Sequence, residues 1–547
     1  MRRALRGGLL PLLPLLLLAA LPASLLAVPS AAAGRAHDPA AGRPHGPVPV
    51  VGRDLGELRR ALERGEVTSV QLVDAYLRRI DAYEDAYADQ PGINAVISVD
   101  RRAARAGAAR LDAERAAGRV RGPLHGIPLV LKDNYDTADT PTTSGSLALR
   151  ELRPRRDATQ VRRLREAGAI VLAKTNMHEF AMSVTTLSSL GGQTRNPYDQ
   201  TRHPGGSSGG TGAAVAAAFA PAGMGTDTCG SIRIPASHNN LVGLRPTLGL
   251  SSRAGIAPLA GTQDTAGPMT VSVRDAALLL DATAGHDPRD PVTEAARGKV
   301  PRSYLDGLSR DALRGKRVGV FTDYFGAEDE AAPTNAVVRE AVADMARSGA
   351  TPVELGAQPD IMEAAAGANR VRDEFERDLN AYLAESADGH PRSLARLEPP
   401  RDEITLADIA TSGQVTPSVL ETLRAWVNSP PLPNPAYEEK LRQRDVLRTL
   451  LTELMREHRL DALVYPSVSR PPTPVGTTQP YANCRLSGYS GFPALSVPAG
   501  FTGDGLPVGV ELLGRPFDEP GLLAMGYAYE QATRHRTPPT STPPLAD

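Results

Sequence analysis

Cysteine is nearly absent: Cys229 and Cys484 are the only two in 547 residues. A small scaffold stapled by several disulfides is therefore excluded, as is a zinc site built from a Cys/His cluster. Net charge is almost absent too, at −1 with histidine neutral, so no global basic field argues for nucleic acid or an anionic membrane as partner. No internal repeat and no long linker interrupts the chain, which argues for one large domain. The Gly/Ser-rich run "HPGGSSGGTG" lacks a Lys followed by Ser or Thr where its helix begins, which excludes a phosphate-binding loop. "MHEFAM" starts like a zinc-protease motif, but no histidine follows four positions after His178. No metal and no cofactor is implied.

What is present begins with an address. Arg2, Arg3 and Arg6 precede an apolar run from Leu9 to Val28, and "SAAAG" puts Ala31 and Ala33 at the spacing a signal peptidase reads. Residues 1–33 read as a signal peptide cleaved near Ala33, which predicts a secreted, extracellular protein with no stable membrane association after cleavage. A retained anchor is the rival, because the run is almost long enough to span a bilayer. "RRALR" loosely matches a twin-arginine signal, and no cysteine near the cleavage site offers a lipid attachment point. Residues 34–50 and 536–547, rich in Pro and small or polar residues, predict a disordered lead-in and tail around a folded domain over 51–535.

Within that domain, 41% hydrophobic and 22% charged residues suit an ordinary globular core. "TSVQLVDAYLRRIDAY" opens with a Thr68/Gln71 capping-box spacing and sets Leu72, Val73, Tyr76, Leu77 and Ile80 on one face. "GIPLVLK", "DATQVRRLREAG" and "AIVLAK" then read as strand, helix and strand, with Asp157 placed to cap the helix; this is the rhythm of a buried α/β sheet. "KRVGVFTDYF", "NAVVREAVADMARSG" and "TPVEL" repeat it. Residues 356–460 read as mostly helical and charged, either shaping a pocket or forming an exposed insertion with Trp426, the only tryptophan, as a satellite core.

Three stretches carry candidate chemistry. The Gly/Ser turn before "GTGAAVAAAF" is a place where backbone N–H groups can point at a ligand. Gly205, Ser207 and Gly209 also satisfy G-x-S-x-G, yet the preceding "TRNPYDQTRHP" is polar and broken by Pro197 and Pro204, so it is no nucleophile-elbow strand. His238, His286, His390, His458 and His535 follow, so residue order alone leaves a Ser-His-Asp enzyme possible. In "GTDTCGSIRIP", Cys229 and Ser231 are both potential nucleophiles.

"LHGIPLVLKDN", "VLAKTNMHEFAM", "GGQTRNPYD", "PGGSSGGTGAAVA", "GTDTCGSIRIPAS", "LVGLRPTLGLSSRAGIAP" and "QDTAGPM", followed by "GFPALSVPAGF" and "GLPVGVELLGRPF", together resemble the amidase signature family. The resemblance runs collinearly from about residue 54 to 535. It implies a single large domain with a mixed β-sheet core covered by helices, and a Ser-Ser-Lys triad made of Lys132, Ser207 after a cis peptide bond, and the nucleophile Ser231. It also implies an oxyanion hole from the backbone N–H groups of Thr228, Cys229, Gly230 and Ser231.

The chemistry is physically sensible. A serine hydroxyl needs a base to attack an amide, and the leaving nitrogen needs a proton. Lysine serves as that base once burial away from carboxylates lowers its pKa. Where this chain has Cys229 the family commonly has Gly. The family places the Cys484 segment near the active-site region, so the resemblance and an exported chain's oxidising surroundings favour a Cys229–Cys484 disulfide over two thiols.

The expected activity is therefore hydrolysis of a carboxylic amide through an acyl-enzyme, on a small-molecule or peptide amide. "RGPLHGIPLVLKDN", "TSGSLALR" and "TQDTAGPM" are most similar to exported peptide amidases. The alternatives are an α/β-type Ser-His-Asp esterase or peptidase and a non-catalytic exported binding protein. The family's amidotransferase member, which acts on charged transfer RNA, fits export poorly.

Overall fold

Short apolar runs nucleate the sheet. "PLVLK" and "IVLAKT" are almost wholly buried, which suits central strands covered on both faces. The computed structural model describes residues 48–386, 404–480 and 482–545. The expected signal peptide and most of the lead-in, residues 1–47, lie outside the described residues.

The strands are β1 (Val96–Ser98), β2 (Pro128–Lys132), β3 (Ile170–Thr175), β4 (Leu187–Ser188), β5 (Gly192–Gln193), β6 (Ala222–Asp227) and β7 (Val242–Arg245), then β8 (Thr265–Thr270), β9 (Arg317–Phe321), β10 (Thr351–Leu355), β11 (Ala462–Pro466), β12 (Ala494–Phe501) and β13 (Pro507–Leu513). Eleven of them form one sheet in the order β1-β3-β2-β6-β8-β7-β12-β13-β11-β9-β10, and β4 and β5 pair separately. The sheet is mixed. β3, β2 and β6 run parallel, as do β11, β9 and β10, while the six strands from β6 to β11 in sheet order, through β8, β7, β12 and β13, alternate in direction. This is the single α/β domain that the sequence pattern implies.

The helix Ser69–Tyr83 begins with the Thr68/Gln71 capping box and buries the predicted face. The helix over "TQVRRLRE" spans Thr159–Glu166 but is capped by the backbone at Ala158 with no side-chain cap bond. Asp157 instead accepts the Ala138 N–H at 2.9 Å, because the loop before the helix turns its carboxylate toward that neighbouring segment.

Over its described residues, 536–545, the tail departs from the expected disorder. Arg79, buried in the helix Ser69–Tyr83, donates to the carbonyls of Thr542 at 2.7 Å and Pro543 at 2.8 Å. Tyr83 and Tyr87 hydroxyls donate to Pro543 and Ser541 carbonyls, each at 2.9 Å. The tail is poor in apolar residues, yet its backbone carbonyls accept hydrogen bonds from a guanidinium that burial would otherwise strip of partners.

The helical region after β10 packs back on the core. Phe375 meets Phe180 at 6.3 Å and Trp426 at 5.6 Å between ring centroids, both edge to face. Trp426 is part of this cluster, not an isolated satellite.

Candidate active site

Lys132 ends β2 with its side chain fully buried. Its Nζ lies 2.7 Å from Ser207 Oγ and 2.7 Å from Thr226 Oγ1 on the neighbouring β6. Asn134 Nδ2 donates to the same Thr226 oxygen at 3.1 Å. Lys174, equally buried on β3, has Asp133 Oδ1 at 3.1 Å, whereas Lys132 has no ion pair among the described residues. Burial without a direct counter-ion pulls the Lys132 ammonium down to about 7, against smaller opposing pulls from Asp227 and Asp264.

The peptide bond between Gly206 and Ser207 is cis. Ser207 is completely buried, and its carbonyl accepts the His178 N–H at 3.0 Å. The next N–H, of Ser208, donates to the Ser231 carbonyl at 3.1 Å, so the Gly/Ser turn and the loop after β6 are stitched together. The structure thus brings Lys132, Ser207 and Ser231 into one buried neighbourhood.

The Gly/Ser turn does not aim its leading N–H groups at a ligand, as its sequence suggests. Gly209 N–H donates to Thr186 Oγ1 at 3.1 Å and Gly210 N–H to the Asn176 carbonyl at 3.1 Å. These glycines are there for close approach. A Cβ on Gly210 would lie 2.1 Å from the Asn176 oxygen, so no other residue fits.

The loop 228–231 departs from the expected donor set at one position. Gly230, at φ +90°, turns its N–H onto Asp227 Oδ1 at 2.8 Å, and Asp227 Oδ2 accepts the Ile232 N–H at 3.2 Å. The N–H groups of Thr228, Cys229 and Ser231 have no acceptor among the described residues. The donor set available to a substrate is therefore three groups, because the turn itself consumes the fourth.

Asp227 anchors that turn. Burial alone would raise its carboxyl, but Arg233 and Arg245 outweigh it and hold the group well below the usual carboxylate range. Arg233 Nε is 3.1 Å from Asp227 Oδ2 and its Nη1 pairs with Glu511; Arg245 Nη1 is 2.9 Å from Asp227 Oδ1. Two buried cations and two buried carboxylates balance here.

Cys229 and Cys484 are joined by a disulfide. No histidine ring bonds to Ser207 or Ser231 among the described residues, and His390 lies outside them. His238, the nearest downstream histidine in sequence, is buried, and that burial lowers it to about 3.

A cavity of about 250 Å³ opens beside the serine loop. Thr226, Thr228 and Asn134 line one side, residues 253–259 another, and the helix Val371–Ser386 the roof through Asp378, Ala381, Tyr382 and Glu385, one stripe at helical spacing. Tyr382 hydroxyl donates to Asp136 Oδ1 at 2.6 Å, fastening roof to core. The region after β10 thus shapes the pocket.

Thr226, Asn134 and Asp227 are the residues that sequence reasoning missed. Thr226 and Asp227 sit in the same quoted stretch as Ser231, and Asn134 two positions after Lys132. Only the pairing of β2 with β6 shows that they meet.

The amidase family description matches residues 71–523. The chain is 36% identical over 497 residues to a glutamyl-tRNA(Gln) amidotransferase subunit of Synechococcus sp. (strain CC9605), covering 87% of this chain and 95% of that protein. Among solved structures it is similar to the native peptide amidase of Stenotrophomonas maltophilia, with a TM-score of 0.78 and 39% identity over 90% of this chain and 99% of that one. It is also similar to the corresponding glutamyl-tRNA(Gln) amidotransferase subunit from Thermotoga maritima, with a TM-score of 0.65 and 27% identity over 88% and 94%. Fold and relatives define an amidohydrolase, an enzyme that acts on amide C–N bonds. The chain belongs to the amidase signature family.

Proposed function

We propose that this protein is an exported amidase that hydrolyses peptide amides or aryl and alkyl amides through an acyl-enzyme on Ser231. The observation that carries the reading is the contact between Lys132 Nζ and Ser207 Oγ at 2.7 Å, with the lysine buried and in no ion pair among the described residues. With its pKa near 7, a large fraction of Lys132 is neutral at pH 7. The neutral amine takes the Ser207 proton while Ser207 takes the Ser231 proton, and Ser231 Oγ attacks the carbonyl carbon. The oxyanion forms beside the Thr228, Cys229 and Ser231 N–H groups. Ser207 returns a proton to the departing nitrogen as the C–N bond breaks, and water then releases the acid by the same relay.

Peptide amides are favoured by the likeness to the Stenotrophomonas maltophilia peptide amidase. The small cavity, apolar at Ile256, Ala257, Pro258 and Leu259, suits one short side chain of such a substrate. Export is favoured by the basic, apolar and small-residue pattern of residues 1–33, and a disulfide suits an oxidising compartment. The similarity to glutamyl-tRNA(Gln) amidotransferase subunits supports the amide chemistry itself and adds no choice among these amides.

The test measures ammonia and amine release from a C-terminal peptide amide and an aryl anilide, with Ser231→Ala as the blank. Ammonia from the peptide amide supports a peptide amidase, efficient release of amine from the anilide supports a broader amidase, and equal rates in the blank overturn the reading.

A further inference from the structure

The disulfide ends on the residue whose own N–H is one of the three unclaimed donors. Cys229 lies between Thr228 and Gly230, and Cys484 precedes the short helix Arg485–Ser490. The loop is thus held from two sides. Asp227 takes its Gly230 and Ile232 N–H groups from one side. On the other, a Cβ on Gly488 would lie 2.8 Å from the Thr228 oxygen and 3.1 Å from Cys229 Cα, and a Cβ on Gly230 would lie 2.9 Å from Cys484 Cβ. Helix and loop are in direct contact, and the disulfide ties their side chains together covalently.

We propose that the Cys229–Cys484 disulfide is a positioning element for the oxyanion site: it fixes the Cys229 peptide, and with it the Thr228 and Ser231 N–H groups, in the arrangement that receives the oxyanion. The proposal rests on the acyl-enzyme reading of Ser231. The reason is short-range geometry. A bond through Cβ constrains Cα, to which the N–H is attached, so rotation of the 228–229 peptide is resisted where the donor sits. Preorganised donors need no reorientation as charge develops, whereas mobile ones do. The N–H groups touch the substrate oxygen mainly in the transition state, so opening the disulfide lowers kcat and leaves KM nearly unchanged. Opening by added dithiothreitol consumes two electrons and two protons, converts the bridge to two thiols and oxidises the reagent to its cyclic disulfide.

The experiment compares oxidised protein, protein held in dithiothreitol under native conditions, and Cys484→Ala, all well below their unfolding temperatures. Readouts are kcat and KM on an amide the oxidised protein hydrolyses, and the affinity of a peptide aldehyde, which forms a tetrahedral adduct with a serine. The expected result is a fall in kcat of about tenfold or more, a parallel loss of aldehyde affinity and a change in KM below about twofold, with reoxidation restoring the reduced protein. A purely structural bridge predicts a lower unfolding temperature with kcat and aldehyde affinity within about twofold of the oxidised protein, and that result overturns the proposal. If Cys484→Ala does not fold, the reduced wild type, its opening verified by a mass gain of two hydrogens, decides the question. Failure of the parent reading shows earlier and separately, as absent amide turnover in the oxidised protein or undiminished turnover in Ser231→Ala.

Discussion

The Gly230 N–H donates to Asp227 Oδ1 at 2.8 Å, so the carboxylate that ends β6 shapes the loop carrying Ser231. The same carboxylate is gripped by Arg233 and Arg245, which makes the loop an extension of the buried charge network and not a free surface turn.

Asp227→Asn is therefore expected to damage both stability and rate. It leaves two buried guanidinium groups short of a counter-charge, a change that costs about 3–5 kcal/mol in comparable buried pairs. Denaturant unfolding and amide turnover at a temperature where the variant stays folded check this. Wild-type stability together with wild-type turnover contradicts it.

Lys132 predicts two pH dependences of known sign. Its folded pKa of about 7 lies below the ordinary lysine value, and the neutral form is the base, so kcat rises as pH climbs through about 7 and is flat above. The unfolded chain keeps its proton up to about pH 10, so between those values it binds the proton that the folded state has lost, and stability rises with pH. Lys132→Met removes that contribution. Between pH 7 and 9.5 wild type should gain about 2–3 kcal/mol relative to the variant, read from urea midpoints, while the variant loses turnover by about 1,000-fold or more. Equal pH slopes for the two proteins contradict the depressed lysine.

Thr226→Val deletes the hydroxyl that accepts from both Lys132 and Asn134. A hydrogen bond to the ammonium favours its charged form, so removing it lowers the lysine pKa further. The rising limb of the pH–rate profile should move about half to one unit toward acid, with kcat reduced about tenfold. A limb that stays in place, or moves toward alkali, contradicts the contact.

Truncation after Thr540 removes the carbonyls of Ser541, Thr542 and Pro543 that hold Arg79, Tyr83 and Tyr87. Stability should fall by about 2–4 kcal/mol because a buried guanidinium loses two charge-assisted bonds. An unchanged urea midpoint is what a disordered tail would give.

The candidate site residues could be named from the sequence because motifs are local. Lys132 follows five apolar residues, and Ser207 and Ser231 sit in short runs whose resemblance to the amidase signature implies their roles. The strands β2, β3, β9 and β10 were readable from the same kind of run. What was not legible depends on pairing between distant segments. Thr226 meets Lys132 only because Val130 registers with Gly223, and Glu511 meets Arg233 across 278 positions. The family resemblance implies Gly230 as a donor, and the positive φ that turns its N–H onto Asp227 leaves no mark in the sequence. The tail misled for a related reason: its composition predicts no core, and backbone carbonyls answering a buried arginine leave no trace in side-chain pattern. Asp157 had the right residue type at a cap position, but the loop around it offered Ala138 first.

The central claim is covalent chemistry at Ser231, and its most direct test is to trap the acyl-enzyme. The protein is mixed with a peptide p-nitrophenyl ester, quenched in acid within milliseconds to seconds, digested and mapped by mass spectrometry. The account predicts one acyl group on Ser231 in wild type, formed far more slowly in Lys132→Met and absent in Ser231→Ala. Acylation of a different residue, or full amide turnover in Ser231→Ala, would contradict it.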